Sequence, residues 1–139
     1  MRGRVFADTN IVVYAESADG EKTHIAAAIL EASPVISAQV VNETVSVLTR
    51  KHRFTLPEAH DIASSLLDLC EVVPVDGTTI RESIRVATRY GLSHWDSLIA
   101  AAALLAGCET LYREDMQAGL VIDKQLKIVN PFTLASAPS

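Results

Sequence analysis

Aromatic residues and cysteines are scarce in this sequence of 139 residues. Three Phe, three Tyr and one Trp are too few for the stacking sheets that bind single-stranded nucleic acid, which argues against that class of module. The two cysteines, Cys70 and Cys108, have no cysteine or histidine beside them at the spacing of metal ligands. We therefore expect two buried thiols rather than a zinc site or a disulfide framework.

Long apolar runs are also missing. The longest, at 98–108, has eleven residues, whereas a membrane-spanning helix needs about 20. Near the N-terminus, Asp8 interrupts the chain before a signal-peptide hydrophobic region could form. We therefore expect a cytoplasmic protein that has no membrane partner.

Basic side chains are outnumbered, because 12 Lys and Arg face 17 Asp and Glu and the net charge is −5. This balance gives no sign of a generally basic surface, so any polyanion would have to be held locally. Apolar residues are plentiful: 49% of the chain is hydrophobic and 21% charged, which is typical of an ordered globular protein. The length predicts a single domain over residues 1–139, with a core at about 4–132 and a short tail at 133–139.

Short β-branched runs alternate with segments of helical period along the whole chain. This alternation predicts βα units wound around a parallel sheet, which is an α/β fold. The predicted strands lie at 4–7, 34–37, 71–75, 110–112 and 127–129. Helices are predicted from about residues 10, 22, 39, 57, 78 and 93, the fifth of them ending at Gly91.

Four carboxylates fall at predicted strand ends or helix starts. Asp8 directly follows a strand and Asp115 lies three residues after another, whereas Glu43 lies one turn into a helix and Asp96 near the start of a further helix. Singly, each has an ordinary explanation: Asp8 could cap a helix, Ser93 and Asp96 could form a capping pair, Asp115 could be a turn residue and Glu43 a solvated charge. Together they favour a site, because ligands bind beyond the carboxyl ends of parallel strands.

The chemistry of such a cluster favours a metal centre. Several carboxylates brought together repel one another unless cations or raised pKa values neutralise them. Oxygen ligands without a Cys or His pattern point to Mg²⁺ or Mn²⁺. Because these ions activate water for in-line attack on a phosphodiester, the pattern predicts a nuclease.

The residues around these acids resemble a known family. The strings VFADTNIVVYA, VISAQVVNETVSVLTRK, YGLSHWDSLIAAAALLAGCETLY and EDMQAG…IVNPF are similar to the PIN-domain family, and specifically to the VapC-like ribonuclease toxins of bacterial toxin–antitoxin pairs. The resemblance covers roughly residues 4–132. It implies a three-layer α/β/α sandwich with a central parallel sheet of about five strands, and a metal-dependent endoribonuclease that uses Mg²⁺ or Mn²⁺. It also implies an RNA substrate, a homodimer and a small antitoxin partner.

The resemblance assigns a role to each acid. Asp8, Glu43, Asp96 and Asp115 match the four acids of the family in chain order. By this match Asp8, Asp96 and Asp115 hold the metal, and Glu43 orients or deprotonates the attacking water.

Further residues are assigned in the same way. Asn10 and Ser37 match polar positions that fix the carboxylate rotamers. Arg113 departs from the family, which usually has Ser or Thr two residues before the fourth acid. Arg113 could contact the scissile phosphate or Asp115, or weaken the metal site, and Glu114 could take the place of Asp115.

Two other interpretations remain open at this point. A PIN fold that has lost catalysis could serve only to bind a partner. A receiver-like signalling domain also carries acids at strand ends, but paired acids after the first strand and a lysine after the last are not evident here. We expect Trp95 to pack in the core and the neighbouring His94 to lie at the surface or touch substrate.

Overall fold

Strands and helices alternate along the residues that the computed structural model describes, which are 3–114 and 118–135. The strands are β1 (Arg4–Ala7), β2 (Val35–Ser37), β3 (Glu71–Val73), β4 (Cys108–Tyr112), β5 (Val121–Ile122) and β6 (Leu126–Val129). The helices are α1 (Thr9–Glu16), α2 (Gly20–Glu31), α3 (Ala38–Lys51), α4 (Leu56–Leu69), α5 (Gly77–Tyr90), α6 (His94–Leu105) and α7 (Pro131–Ala135). The predicted α/β fold is confirmed.

All six strands form one sheet in the order β3-β2-β1-β4-β6-β5. The pairs from β3 through to β6 are parallel, and β5 pairs antiparallel with β6 at the edge. The chain moves outward from β1 to β2 and β3 and then returns to place β4 on the other side of β1. The strand order therefore reverses between β1 and β4, and in open parallel sheets this is where ligands bind.

The central strands are apolar because helices cover them. Phe6 and Ala7 of β1 are fully buried, and every residue of β2 is buried as well. Such continuous burial is typical of parallel strands that lie inside an α/β domain. The same core takes in Leu111 of β4 and Ile128 of β6.

Helix α6 packs against several strands of the sheet. Its small residues Ala100, Ala101, Ala102 and Ala103 are all buried, and the helix contacts β2, β4 and β6 as well as α5. Helix α1 packs on α2 and α3, and α3 packs on α4. The helices that carry candidate site residues, α1, α3 and α6, are therefore each packed against other helices or strands.

Several helix boundaries have a local cause in the sequence. Ser37 and Ser93 cap α3 and α6, since their hydroxyls accept from the backbone N–H three residues on. As predicted, α5 ends at Gly91, which adopts a left-handed conformation with φ of 68°. β5 was not predicted, because two residues are too short to show an alternating pattern.

Both cysteines are free in the structure. Cys108 is buried, and this burial raises the pKa of its thiol to about 11. Cys70 is only half-buried because it lies at the C-terminal end of α4. None of the described helices is long and apolar enough to span a membrane.

Candidate active site

The site is built where the neighbouring strands β1 and β4 end. Ala7 lies opposite Tyr112, and the backbone N–H of Asp8 donates to the carbonyl of Tyr112 at 3.1 Å. The residues that follow the two strands, Asp8 and Arg113, are therefore side by side. Arg113 Nε lies 2.9 Å from Asp8 Oδ2.

Asp8 is a buried carboxylate and not a helix cap. It occupies the position before α1, yet its side chain makes no capping hydrogen bond, and the residue is only 4% exposed. Burial raises the pKa of this carboxyl. The charge of Arg113 offsets part of the shift, whereas the charges of Glu43 and Asp96 add to it.

Asp96 comes to the same place from α6. Its backbone N–H donates to Ser93 Oγ at 3.1 Å, so the predicted cap of the helix is present. Its carboxylate has another partner, since Arg113 Nη1 lies 2.8 Å from Asp96 Oδ1. One guanidinium thus bridges two acids that are far apart in sequence, Asp8 and Asp96.

Glu43 is held by a hydrogen bond to each of its carboxylate oxygens. Thr9 Oγ1 donates to Oε2 at 3.0 Å, and Gln39 Nε2 donates to Oε1 at 2.8 Å. These contacts tie α3 to the start of α1 and bring Glu43 close enough for its charge to raise the pKa of Asp8. Sequence reasoning missed Thr9 and Gln39. Thr9 is adjacent to Asp8, and Gln39 precedes Glu43 by one helical turn, so position alone could have indicated them.

The two polar residues Asn10 and Ser37 lie at the starts of α1 and α3. Ser37 is fully buried, and its hydroxyl accepts from the backbone N–H of Val40 at 3.3 Å, which fixes the start of the helix that carries Glu43. Asn10 is partly buried, and its Oδ1 has no hydrogen-bond partner among the described residues. That oxygen remains available to accept a hydrogen bond.

The segment after Arg113 is only partly described, and Asp115 lies outside the described residues. Glu114 is bound elsewhere: its carboxylate accepts from Tyr14 Oη and Lys22 Nζ, each at 2.7 Å. Burial works to raise the pKa of Glu114, but these two hydrogen bonds outweigh it and the pKa lies below its usual value. Glu114 is therefore engaged in an ion pair with α2.

The donor chemistry of the cluster suits a hard cation, but its arrangement holds a guanidinium. Within residues 3–114 and 118–135, no three His, Cys, Asp or Glu side chains are placed as ligands of one metal ion. Arg113 supplies the positive charge between Asp8 and Asp96 instead. The position thus binds a cation, and a divalent ion bound by the same oxygens would compete with Arg113.

Trp95 corrects a prediction, because its side chain is exposed rather than packed in the core. The residue is 65% exposed in the first turn of α6, before that helix reaches the sheet. The exposed His94 ring packs against it in a T-shaped arrangement, with centroids 5.3 Å apart and planes at 72°. Trp95 also borders a cavity of about 640 Å³ that Gln39 and Glu43 line.

Comparison with known proteins identifies the family. The PIN domain family matches residues 5–120, so the chain belongs to the PIN domain family. This membership separates it from receiver domains and confirms the resemblance drawn from the sequence. No curated protein matches the chain.

Solved structures share the fold at low sequence identity. A toxin–antitoxin complex from Klebsiella pneumoniae has a TM-score of 0.70 and 22% identity, covering 91% of this chain and 97% of that one. VapC20 of Mycobacterium tuberculosis, a sarcin–ricin loop cleaving toxin, has a TM-score of 0.66 and 19% identity, covering 80% and 89%. VapBC2 of Rickettsia felis bound to promoter DNA has a TM-score of 0.66 and 17% identity, covering 91% and 98%.

Proposed function

We propose that this PIN domain protein is a metal-dependent endoribonuclease, which hydrolyses RNA phosphodiester bonds as the toxin of a toxin–antitoxin pair. The observation that carries the proposal is the meeting of Asp8, Glu43 and Asp96 from three separate elements where the strand order reverses. Family membership supports it, and so do the names of the structural neighbours, which include toxin–antitoxin complexes and an RNA-cleaving toxin.

We assign the metal to the oxygens of Asp8, Asp96 and Asp115. When bound, Mg²⁺ or Mn²⁺ supplies Lewis-acid activation of water and neutralises charge on the phosphate. The acids themselves favour such an ion, because burial and mutual repulsion make the ionised form of Asp8 costly without added positive charge.

Glu43 is the group that orients or deprotonates the attacking water. Thr9 and Gln39 hold its carboxylate in one orientation, and each oxygen keeps a second lone pair that can accept from water. Asn10, two residues after Asp8, has a buried Oδ1 with no partner in the part of the chain that the structure describes, and this oxygen can accept a further hydrogen bond. In this role Glu43 acts as a general base and does not bind the metal.

A metal ion bound by the two oxygens that Arg113 contacts, Asp8 Oδ2 and Asp96 Oδ1, would displace the guanidinium from them. Once released, a guanidinium forms paired hydrogen bonds with phosphate oxygens, so we assign Arg113 to the scissile phosphate. In this account Arg113 exchanges Asp8 or Asp96 for the substrate.

The proposal is tested by incubating antitoxin-free protein with total bacterial RNA, in Mn²⁺ or Mg²⁺ and in chelator, and mapping the new RNA ends. We expect discrete cuts that need metal and disappear in Asp8→Asn. A matched control is Asp61→Asn, which removes an exposed carboxylate on α4 and should cut as the native chain does. Equal cleavage by Asp8→Asn would refute the assignment.

A second candidate is a PIN fold that binds a partner without catalysis, and the bridging of Asp8 and Asp96 by Arg113 favours it. Calorimetric titration with Mn²⁺ separates the two. A degenerate site would take up no Mn²⁺ in the native protein or in Arg113→Ser, whereas a competing guanidinium predicts binding that strengthens in the variant.

The expected partners are an antitoxin protein and a second copy of the chain. Exposed apolar side chains on α4 and α5 support a homodimer, and they include Leu67, Leu69, Ile80 and Ile84. We further propose that the protein acts in the cytoplasm, where its RNA substrate is found. Sedimentation of the purified chain, with Ile84→Glu as the disrupting variant, measures the oligomeric state.

A further inference from the structure

The cavity beside Glu43 is also lined by Trp95, a residue to which the proposed function gives no role. Trp95 is 65% exposed and lines this cavity, whose volume of about 640 Å³ lies within the usual range for small-molecule sites. The His94 ring packs against the indole of Trp95 in a T-shaped arrangement, with the two ring centroids 5.3 Å apart. A large exposed aromatic ring next to a catalytic carboxylate is an available stacking surface.

Apart from Trp95 and Glu43, the described residues that line the cavity are uncharged, and they are either polar or apolar. Gln39 and Asn42 bring side-chain amides, and Val75 and Leu98 bring aliphatic surface. Among the described residues that line the cavity, Glu43 is the only charged one, and none of them is a Lys, Arg or His. A phosphate group would be repelled from such a cavity, whereas a flat uncharged group with hydrogen-bonding edges fits it.

Gln39 adds a hydrogen-bonding requirement. Its amide nitrogen donates to Glu43 Oε1, and a carboxylate cannot donate in return, so the amide orientation is determined. In this orientation the amide oxygen of Gln39, Oε1, is buried and has no hydrogen-bond partner among the described residues. A buried acceptor of this kind is costly unless a donor reaches it, for example from the edge of a nucleobase.

We infer that this cavity is a nucleobase subsite, in which an unpaired base next to the scissile phosphate stacks on Trp95 and meets Gln39 and Asn42 with its edge. The inference rests on the proposed function and adds a basis for substrate choice. Glu43 lines the cavity and belongs to the acid cluster, so a base held there places the adjoining phosphate beside Asp8 and Asp96.

The binding test uses fluorescence, because Trp95 is the only tryptophan in the chain. Short oligoadenylate or oligouridylate, added to the full chain in chelator, should quench its emission with a saturating curve. Chelator prevents metal-dependent cleavage, so this readout does not depend on activity.

The kinetic test compares Trp95→Ala with Trp95→Phe at a mapped cleavage site. Loss of one stacking contact should raise KM on the order of 10-fold and leave kcat within a few-fold, and Phe should restore most of the loss. Leu105→Ala, a change at a half-exposed apolar residue near the other end of α6, is the matched control and should leave KM unchanged. Asn42→Ala should alter which bases are preferred at the cut.

The outcomes separate this inference from the proposed function. Cleavage with unchanged KM and cut sites in Trp95→Ala, without quenching in the native chain, would overturn the subsite and leave the nuclease intact. Quenching in a protein that cuts no RNA would support the subsite and refute the nuclease. A KM change that follows loss of a dimer in sedimentation would assign Trp95 to a protein interface and overturn the subsite.

Discussion

Two adjacent residues, Arg113 and Glu114, enter two ion-pair clusters of opposite character. Arg113 binds Asp8 and Asp96, and the charge of a third carboxylate, Glu43, also acts on Asp8. Glu114 binds Lys22 in a cluster where one acid meets one base and a tyrosine hydroxyl. The first cluster carries excess negative charge and the second is balanced.

The pKa values of Asp8 and Glu114 reflect this difference. The pKa of Asp8 is raised, because burial and neighbouring acids outweigh Arg113, whereas the pKa of Glu114 is lowered by its two donors. A buried acid whose surroundings raise its pKa is typical of a functional site. An acid whose partners lower its pKa is typical of a structural ion pair. The cluster around Arg113 and the cluster around Glu114 therefore differ in charge balance, although Arg113 and Glu114 are adjacent in sequence.

The largest expected effect is on catalysis. Glu43→Gln should lower kcat by about 100- to 10,000-fold, because the amide cannot accept a proton from water. Glu114→Gln, which changes an acid in the balanced cluster in the same way, should keep kcat within a few-fold. Single-turnover cleavage of a mapped RNA site measures the rate constant of each variant. Equal decreases in the two variants would contradict the proposed functional difference between the clusters.

The next effect is on metal affinity. Arg113→Ser removes the guanidinium that competes for Asp8 and Asp96, so Mn²⁺ should bind about 10-fold more tightly. Lys22→Ser removes a cation from the balanced cluster and should leave Mn²⁺ affinity unchanged. Titration calorimetry gives both dissociation constants, and weaker binding in Arg113→Ser would mean that Arg113 supports the site rather than competes for it.

A smaller effect, on stability, has opposite sign in the two clusters. Because the pKa of Asp8 is raised, the folded protein holds this proton more tightly than the unfolded chain, and its carboxylate lowers stability as pH rises. Asp8→Asn should therefore raise Tm by a few degrees at neutral pH in chelator, with the gain fading in acid. Thermal unfolding at several pH values checks this, and a lower Tm at neutral pH would contradict it.

Glu114 should behave in the reverse way. Its lowered pKa means that its stabilising contribution is present above the unfolded pKa and is lost as pH falls through the folded value. Glu114→Gln should lower Tm modestly at neutral pH and converge with the native chain in acid. A pH-independent difference would show that packing, and not ionisation, sets the effect.

Much of the fold was predictable from local patterns, and the failures have physical causes. The sequence predicted that Asp8, Glu43 and Asp96 would meet, because each lies just after a predicted strand or near the start of a predicted helix, and the carboxyl ends of parallel strands share one edge of the sheet. The bridging role of Arg113 was not predictable, since it depends on the register of Ala7 against Tyr112. Sequence reasoning offered Asp115 or phosphate as its contact.

Trp95 shows the limit of residue type as a guide to burial. A large apolar ring is usually buried, but here it sits in the helical turn that precedes the contact with the sheet. The buried positions of α6 begin two residues later, at Ser97. Tertiary placement decides the exposure of such a residue.

The most direct test of the central claim is metal add-back to the chelated, antitoxin-free protein, followed as cleavage of one mapped RNA site. We expect no cleavage in chelator, recovery with Mn²⁺ in the native chain, and no recovery in Asp96→Asn. Cleavage that persists in chelator, or that Asp96→Asn recovers fully, would contradict an acid-based metal centre at this edge of the sheet.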